Sequence, residues 1–292
     1  MESNTQFETY IADEIERHDG VAIPIRSGLL HRLLVRRCKC ENLHPNPDDE
    51  FSQPSVGPSY RIISDYEKKF LNSERVYQNY FMGEEPIVVE RIHPDGYMIL
   101  NGHHRWAAAM RLGYPKIPIQ VVNVVHNQEI KEIVQHSEHN KRVTLDLDEV
   151  VFYNGKQGQA EKALPFPLNK IYPDRLRLGI PALFRMLEKN GFDIWVYSMN
   201  YYSTDYIKAL LRKYHLTATG IVTGTSKRTN PEDKKLMEAL YVDNYLYTLH
   251  LDNAEVSMFD NVANEFRVYP INDPEHWSRD VINIIKELPS YD

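Results

Sequence analysis

Apolar positions near the start of the chain, Phe7, Ile11 and Ile15, recur at four-residue spacing and predict a short amphipathic helix within residues 1–20. Residues 41–60, ENLHPNPDDEFSQPSVGPSY, hold four prolines and few aliphatics, which predicts an ordered loop or lid. A tyrosine- and charge-rich helix follows over 62–81. PIVVERI, the turn HPDG and YMIL then read as strand, turn and strand. NGHHRWAAAMRLG continues as a helix stopped by Gly113, with Pro115 just beyond, and IPIQVV (117–122) is a closing strand. Residues 126–142 are polar with Ile130, Ile133 and Val134 on one side, as in a connecting helix. Beyond them the period alternates. Apolar runs at Val143–Leu145, Ile194–Tyr197, Ile221–Val222, Tyr247–Leu251 and Phe266–Tyr269 are separated or followed by helical stretches near 176–190, 203–215, 231–241 and 278–287. Strands alternating with helices predict an α/β fold with a parallel sheet, whose ligands sit beyond the carboxyl ends of the strands.

Length and charge narrow this picture. At roughly 150 residues per domain, 292 residues suggest two domains. The boundaries read as 1–125, a connecting helix at 126–140, and 141–292. A net charge of −7 leaves no basic excess for coating nucleic acid, so that partner is disfavoured. No apolar run approaches 18 residues, and the acidic start has no signal-like apolar segment. Two cysteines cannot build a disulfide framework, so a cytoplasmic location is expected.

The chemistry concentrates at the predicted strand ends. Asp146 and Asp148 follow a buried strand in RVTLDLDEVVFY, and side chains two apart on an extended segment point to one side. Such a pair holds a divalent cation while one carboxylate attacks and the other moves a proton. Ser198 ends the second run and Asp252 the fourth, while Lys227 lies just ahead of a helix that Asn230 and Pro231 begin. The order Asp-x-Asp, serine, lysine, aspartate resembles the haloacid dehalogenase-like superfamily over about 141–292. The resemblance implies a Rossmann-like sheet, Asp146 as the nucleophile and Asp148 as general acid/base. It further implies that Ser198 and Lys227 bind the phosphoryl group, and that Mg²⁺ sits on Asp146, the Asp148 carbonyl and the Asp252–Asn253 edge. Asn253 stands where that family often has a second acid, and Lys234 and Lys235 compete with Lys227. The interval of about 50 residues from Asp148 to Ser198 leaves room for a small flap but no large cap.

In the first half, YMILNGHHRWAAAMRLG places a tight turn and basic groups at a helix start, where backbone N–H groups and the helix dipole favour an anion. Gly102 permits close approach, and His103, His104 and Arg105 add donors for a nucleotide or phosphorylated small molecule. The surrounding pattern resembles the ParB/sulfiredoxin-like superfamily over about 21–125, which implies an α+β domain that binds nucleotide phosphates. His103 stands where sulfiredoxin needs cysteine. The free serine kinase branch carries an aspartate-glycine-histidine-histidine-arginine turn, matched here except for Asn101. Glu50 in the DDEF loop is a candidate acid/base. Cys38 and Cys40 lack a second pair for zinc, and His126, His136 and His139 read as solvated.

The leading expectation is a Mg²⁺-dependent phosphohydrolase of the haloacid dehalogenase type with a phosphate-binding first domain. The alternatives are a bifunctional kinase and phosphatase, and a non-enzymatic ligand sensor or nucleic-acid-associated module.

Overall fold

The computed structural model describes residues 4–156, 158–225 and 231–288. The chain divides into two units. The first runs up to Val124 and includes Tyr201–Ser203; the second takes Val125–Asn200, Thr204–Thr225 and the chain beyond 230.

The first unit opens with α1 (Asn4–His18), whose buried stripe is Phe7, Ile11, Glu14 and His18. The steps of four, three and four are those of a 3.6-residue period, so the stripe passes through Glu14 and leaves the expected Ile15 at its margin. Short pieces follow: β1 (Ile23–Pro24), α2 (Leu29–Leu33), β2 (Arg36–Lys39) and β3 (Leu43–His44). Then come α3 (Tyr60–Tyr77), β4 (Ile87–His93), β5 (Tyr97–Asn101), α4 (His103–Arg111) and β6 (Lys116–Val121). The sheet runs β2-β6-β4-β5-β3, with β1 added antiparallel beside β4. β4 pairs antiparallel with β5 and parallel with β6. One core gathers Phe7 and Ile11 of α1, Ile63 and Phe70 of α3, Trp106 to Ala109 of α4, and the inward residues of β4 to β6. Three consecutive buried alanines keep α4 thin enough to pack against both α3 and β4.

In the second unit α5 (Asn127–Gln135) starts where the His126 N–H donates to Glu129 Oε2 at 3.1 Å. Its Ile130 and Val134 share a core with Trp195, Val222 and Tyr245, so the helix expected as a connector is part of this unit's packing. β7 (Lys141–Asp146) runs into a π-helical turn at Leu147–Val151. An irregular arch over 152–177 returns antiparallel to itself, with bridges Phe152–Leu176 and Ala160–Arg177, and contains α6 (Leu168–Ile171). It is followed by α7 (Ile180–Lys189), β8 (Phe192–Tyr197), α8 (Thr204–Lys213) and β9 (Gly220–Val222). The unit ends with α9 (Pro231–Asn244), β10 (Tyr247–Leu251), β11 (Glu255–Asp260), β12 (Glu265–Pro270) and α10 (Trp277–Glu287). The sheet order is β12-β11-β10-β7-β8-β9. A Cβ on Gly220 would fall 2.1 Å from the Trp195 ring, so glycine there admits the indole to the core.

This sheet is mixed, which corrects the all-parallel expectation. β10, β7, β8 and β9 are parallel, whereas β10, β11 and β12 form an antiparallel meander. Three residues separate β10 from β11, too few for the crossover that parallel pairing needs. The run at Phe266–Tyr269 is therefore the outer meander strand, and β11 lies where no separate strand was expected.

Candidate functional site

In the first unit, β5 ends at Asn101 and Gly102 turns the chain into α4 with φ at +103°. A Cβ at Gly102 would meet Ile87 Cδ1 at 2.8 Å and Arg105 Nη2 at 3.0 Å. The turn accepts glycine for two separate reasons, backbone and space. Gly102→Ala should lower unfolding stability by about 1–3 kcal/mol, visible as a reduced denaturant midpoint with an unchanged slope. An unshifted midpoint would show that the turn relaxes without cost.

Behind Gly102 the side chains expected as phosphate donors make contacts within the chain. His103 is buried; its Nε2 accepts the Asn46 backbone N–H at 3.1 Å, and its Nδ1 lies 3.6 Å from Asp49 Oδ2. His104 Nε2 accepts the Ser59 backbone N–H at 3.1 Å. Arg105, also buried, donates to the Glu85 carbonyl and packs its guanidinium by Gly102. These groups clamp the 45–59 loop and the turn. The loop's buried N–H groups need acceptors, and the imidazoles supply them. Phe51, 2% exposed, completes the clamp, with its ring 5.3 Å from His103 and 5.1 Å from His104. Asp49 caps the short turn at Glu50–Ser52, accepting the Phe51 N–H at 3.0 Å, and leaves Glu50 exposed. Asp49 and Phe51 had a signal in the sequence: one aromatic residue directly after three acids in a loop otherwise poor in apolar groups. Gly102 and the start of α4 form the glycine turn and helix terminus at which the sequence predicts an anion.

Away from this turn, Glu14, His18 and His44 form a buried trio. His44 Nδ1 lies 2.7 Å from Glu14 Oε2, the two imidazoles stack at 3.9 Å, and burial pushes His44 below its ordinary value. Among the described residues they are the three His, Cys, Asp or Glu side chains with ligand atoms within 4.8 Å of one another. In-plane lone pairs on stacked rings do not converge on one point, so the trio reads as the polar end of the α1 stripe.

In the second unit, Asp146 ends β7, paired in register with Tyr197, the last residue of β8. Ser198 follows Tyr197, and Asp252 follows Leu251, which pairs with Leu145. The topology thus brings Asp146, Asp148, Ser198 and Asp252 to one carboxyl edge. Asp146 Oδ1 accepts the N–H groups of Asp148 (2.8 Å) and Glu149 (2.7 Å), which caps the π-helical turn. Burial raises the Asp146 carboxyl above its ordinary value; the charges of Asp148 and Glu149 add to this, and the two backbone N–H groups oppose it. The turn sets Asp148 so that its Oδ2 accepts from Ser198 Oγ at 2.6 Å. Ser198 is itself buried and its Oγ accepts the Asn200 N–H at 2.9 Å. Lys227 lies outside the described residues.

Asp252 is exposed, and its Oδ1 accepts the N–H of Asn253. Asn253 Oδ1 accepts from Arg177 Nη1 at 2.6 Å, and Arg177 is buried against the Trp277 ring. The Asn253 oxygen expected beside a cation thus serves a guanidinium here. The donor set that remains for Mg²⁺ is hard oxygen: Asp146, the Asp148 carbonyl and Asp252. It fits a cation because the charged groups acting on Asp146 are both negative. The carboxylate oxygens of Asp146, Asp148 and Asp252 are not all gathered within 4.8 Å of one another.

Comparison with known proteins bears on the first unit. Residues 83–138 match the family model of the ParB N-terminal domain. The segment contains β4, β5, the Gly102 turn, α4 and β6. Over 47 residues the chain is 49% identical to an ATP-dependent L-serine kinase of Desulfurococcus mucosus, covering 16% of this chain and 18% of the kinase. The chromosome-partitioning protein ParB of Caulobacter crescentus, solved with CTP-γ-S, is 31% identical over 37% of this chain and 56% of that one, with a TM-score of 0.24. The same protein complexed to the centromeric parS site is 28% identical over 36% and 50%, with a TM-score of 0.23. The chain thus spans under a fifth of the kinase and about half of the ParB structures. No helix among the described residues is long and apolar enough to cross a membrane.

Proposed function

We propose that the chain carries two phosphoryl-transfer centres: a nucleotide-dependent kinase centre for a small hydroxylated molecule in the first unit, and a phosphohydrolase centre of the haloacid dehalogenase type in the second. This ranks the bifunctional alternative above a phosphohydrolase with a merely binding first domain. The observation that carries it is that the Gly102 turn falls inside the ParB-like segment of a chain that shares a 47-residue stretch with a named kinase. In the kinase centre, Gly102 and the α4 N–H groups hold the nucleotide phosphates. Glu50, exposed on the loop that His103 and His104 clamp, takes the hydroxyl proton as that oxygen bonds to the terminal phosphorus and the shortened nucleotide leaves. Asn101 offers hydrogen bonds where the serine kinase resemblance has a carboxylate, which leaves proton transfer to Glu50.

The second centre is supported by the 2.6 Å Ser198–Asp148 hydrogen bond beside Asp146 at the strand edge. Asp146 attacks phosphorus while Asp148 gives its proton to the leaving oxygen. Asp148 then takes a proton from water as that water displaces phosphate from Asp146. Ser198 orients Asp148 and meets the phosphoryl oxygens. Asp146, the Asp148 carbonyl and Asp252 would hold Mg²⁺, which would supply charge neutralisation for the approaching phosphoryl group.

The test is Glu50→Gln, assayed for ATP and ADP consumption with L-serine and, separately, for phosphate release from p-nitrophenyl phosphate. Nucleotide consumption should drop by about 10²-fold or more with phosphate release intact. Equal consumption in variant and wild type, or none in wild type, removes the kinase centre.

A further inference from the structure

On one face of the second sheet, α9 and the strands β7, β10 and β11 enclose a cavity of about 720 Å³. That volume suits a small molecule rather than a macromolecule. Its lining includes both Asp146 and Arg142. Both are on β7 with Thr144 between them, and alternate residues of a strand share a face. Four residues at about 3.3 Å each separate their Cα atoms by roughly 13 Å. The walls combine apolar and aromatic residues, including Met237, Tyr241 and Phe259, with polar ones: Thr144 and His250, joined at 2.6 Å, and Lys234, Glu238, Thr248 and Asn261.

Arg142 is the unusual member. It is 6% exposed, its guanidinium stacks 3.5 Å from the centre of the Tyr241 ring, and Trp195 and Tyr245 stand 5.8 and 5.9 Å away. Its Nη2 donates to the Tyr197 hydroxyl at 3.1 Å, while its Nε is buried with no hydrogen-bond partner. Among the described residues it forms no ion pair. Aromatic rings hold a guanidinium in place and offset part of its charge, but they accept no N–H in its plane. A buried cation left in this condition is costly unless an anion completes it. Burial and the Arg142 charge push His250 below its ordinary value.

We infer that this cavity is the specificity pocket of the Asp146 centre, and that it takes a phosphate monoester with an apolar, aromatic-sized body and a carboxylate at the far end, bound by Arg142. The inference rests on Asp146 as the phosphoryl acceptor. Strand geometry places the two anionic groups on the order of 10 Å apart, which selects elongated substrates over short phosphorylated hydroxy acids.

Binding and turnover test it separately. Wild-type protein is titrated calorimetrically with 3-(4-hydroxyphenyl)propanoate and with its neutral carboxamide. The carboxylate should bind about tenfold or more tightly, Asp146→Asn should keep that preference, and Arg142→Met should lose it. Equal affinity of wild type for the two probes overturns the pocket assignment, and because the measurement needs no variant it stands even if Arg142→Met fails to fold. Hydrolysis of 3-(4-phosphonooxyphenyl)propanoate against its carboxamide then tests the centre. Preferential binding without hydrolysis of either ester sinks the phosphohydrolase reading and leaves an anion pocket. Hydrolysis of both at equal kcat/KM sinks the specificity role and leaves the centre.

Discussion

Asp146→Asn is expected to cut Mg²⁺-supported phosphate release by at least about 10³-fold while making the protein harder to unfold at pH 7. The two effects have one origin. The Asp146 carboxyl is raised above its ordinary value by burial, with Asp148 and Glu149 adding to the shift. A carboxyl raised in the folded state stabilises fully below its unfolded pKa, about 3.9, and that contribution is lost as pH rises through the folded value. At neutral pH the ionised group therefore strains the strand edge. An amide keeps an oxygen for the Asp148 and Glu149 N–H groups and removes the charge. Thermal unfolding of wild type and variant from pH 4 to 8 checks this: the advantage of the variant should grow with pH. A variant less stable than wild type at pH 7, or one that still turns over, contradicts the assignment of Asp146 as a nucleophile held at a cost in stability.

Trp106→Ala should be the most damaging single change in the first unit, lowering its stability by about 3–5 kcal/mol. Trp106 is fully buried, lies 6.5 Å from Phe7 and 6.3 Å from Phe51, and donates from Nε1 to the Cys40 carbonyl at 3.0 Å. It sits one residue beyond Arg105, so the ring that anchors α4 also backs the loop over the Gly102 turn. Truncation opens a cavity and leaves the Cys40 carbonyl without its donor. Hydrogen exchange should show the 45–59 segment losing protection along with α4. Loss confined to α4 would separate the loop clamp from the core. Trp106→Phe, which keeps most of the volume, should recover most of the stability.

Some of this architecture was legible because local patterns and tertiary burial agree. The hairpin of β4 and β5, the Gly102 turn and α4 follow from alternation, a glycine and a helical run read in order. The edge with Asp146, Ser198 and Asp252 followed from three apolar runs ending in polar groups. Other features depend on partners distant in sequence. Glu14 and His18 look like solvent-facing residues until His44 arrives from β3. Nothing local in the sequence shows that Arg105 donates to the Glu85 carbonyl or that Asn253 accepts from Arg177. The antiparallel meander was hidden for a different reason: β11 alternates weakly, and the distinction between a parallel run and a returning one lies in a three-residue turn. Arg142, polar at the start of a strand, gives no local sign of the aromatic cage that holds it.

That meander also orders the assembly of the second sheet. β10, β11 and β12 pair with their neighbours in the chain, whereas β7 joins β8 and β10 only after long loops close. Local pairing loses less chain entropy and forms first. Asp252 is thus delivered on an early hairpin, and Asp146 docks beside it late. The cost of the Asp146 charge beside Asp148 and Glu149 then arises only once β7 is seated between its neighbours, so the acidic edge burdens the finished fold rather than the route to it.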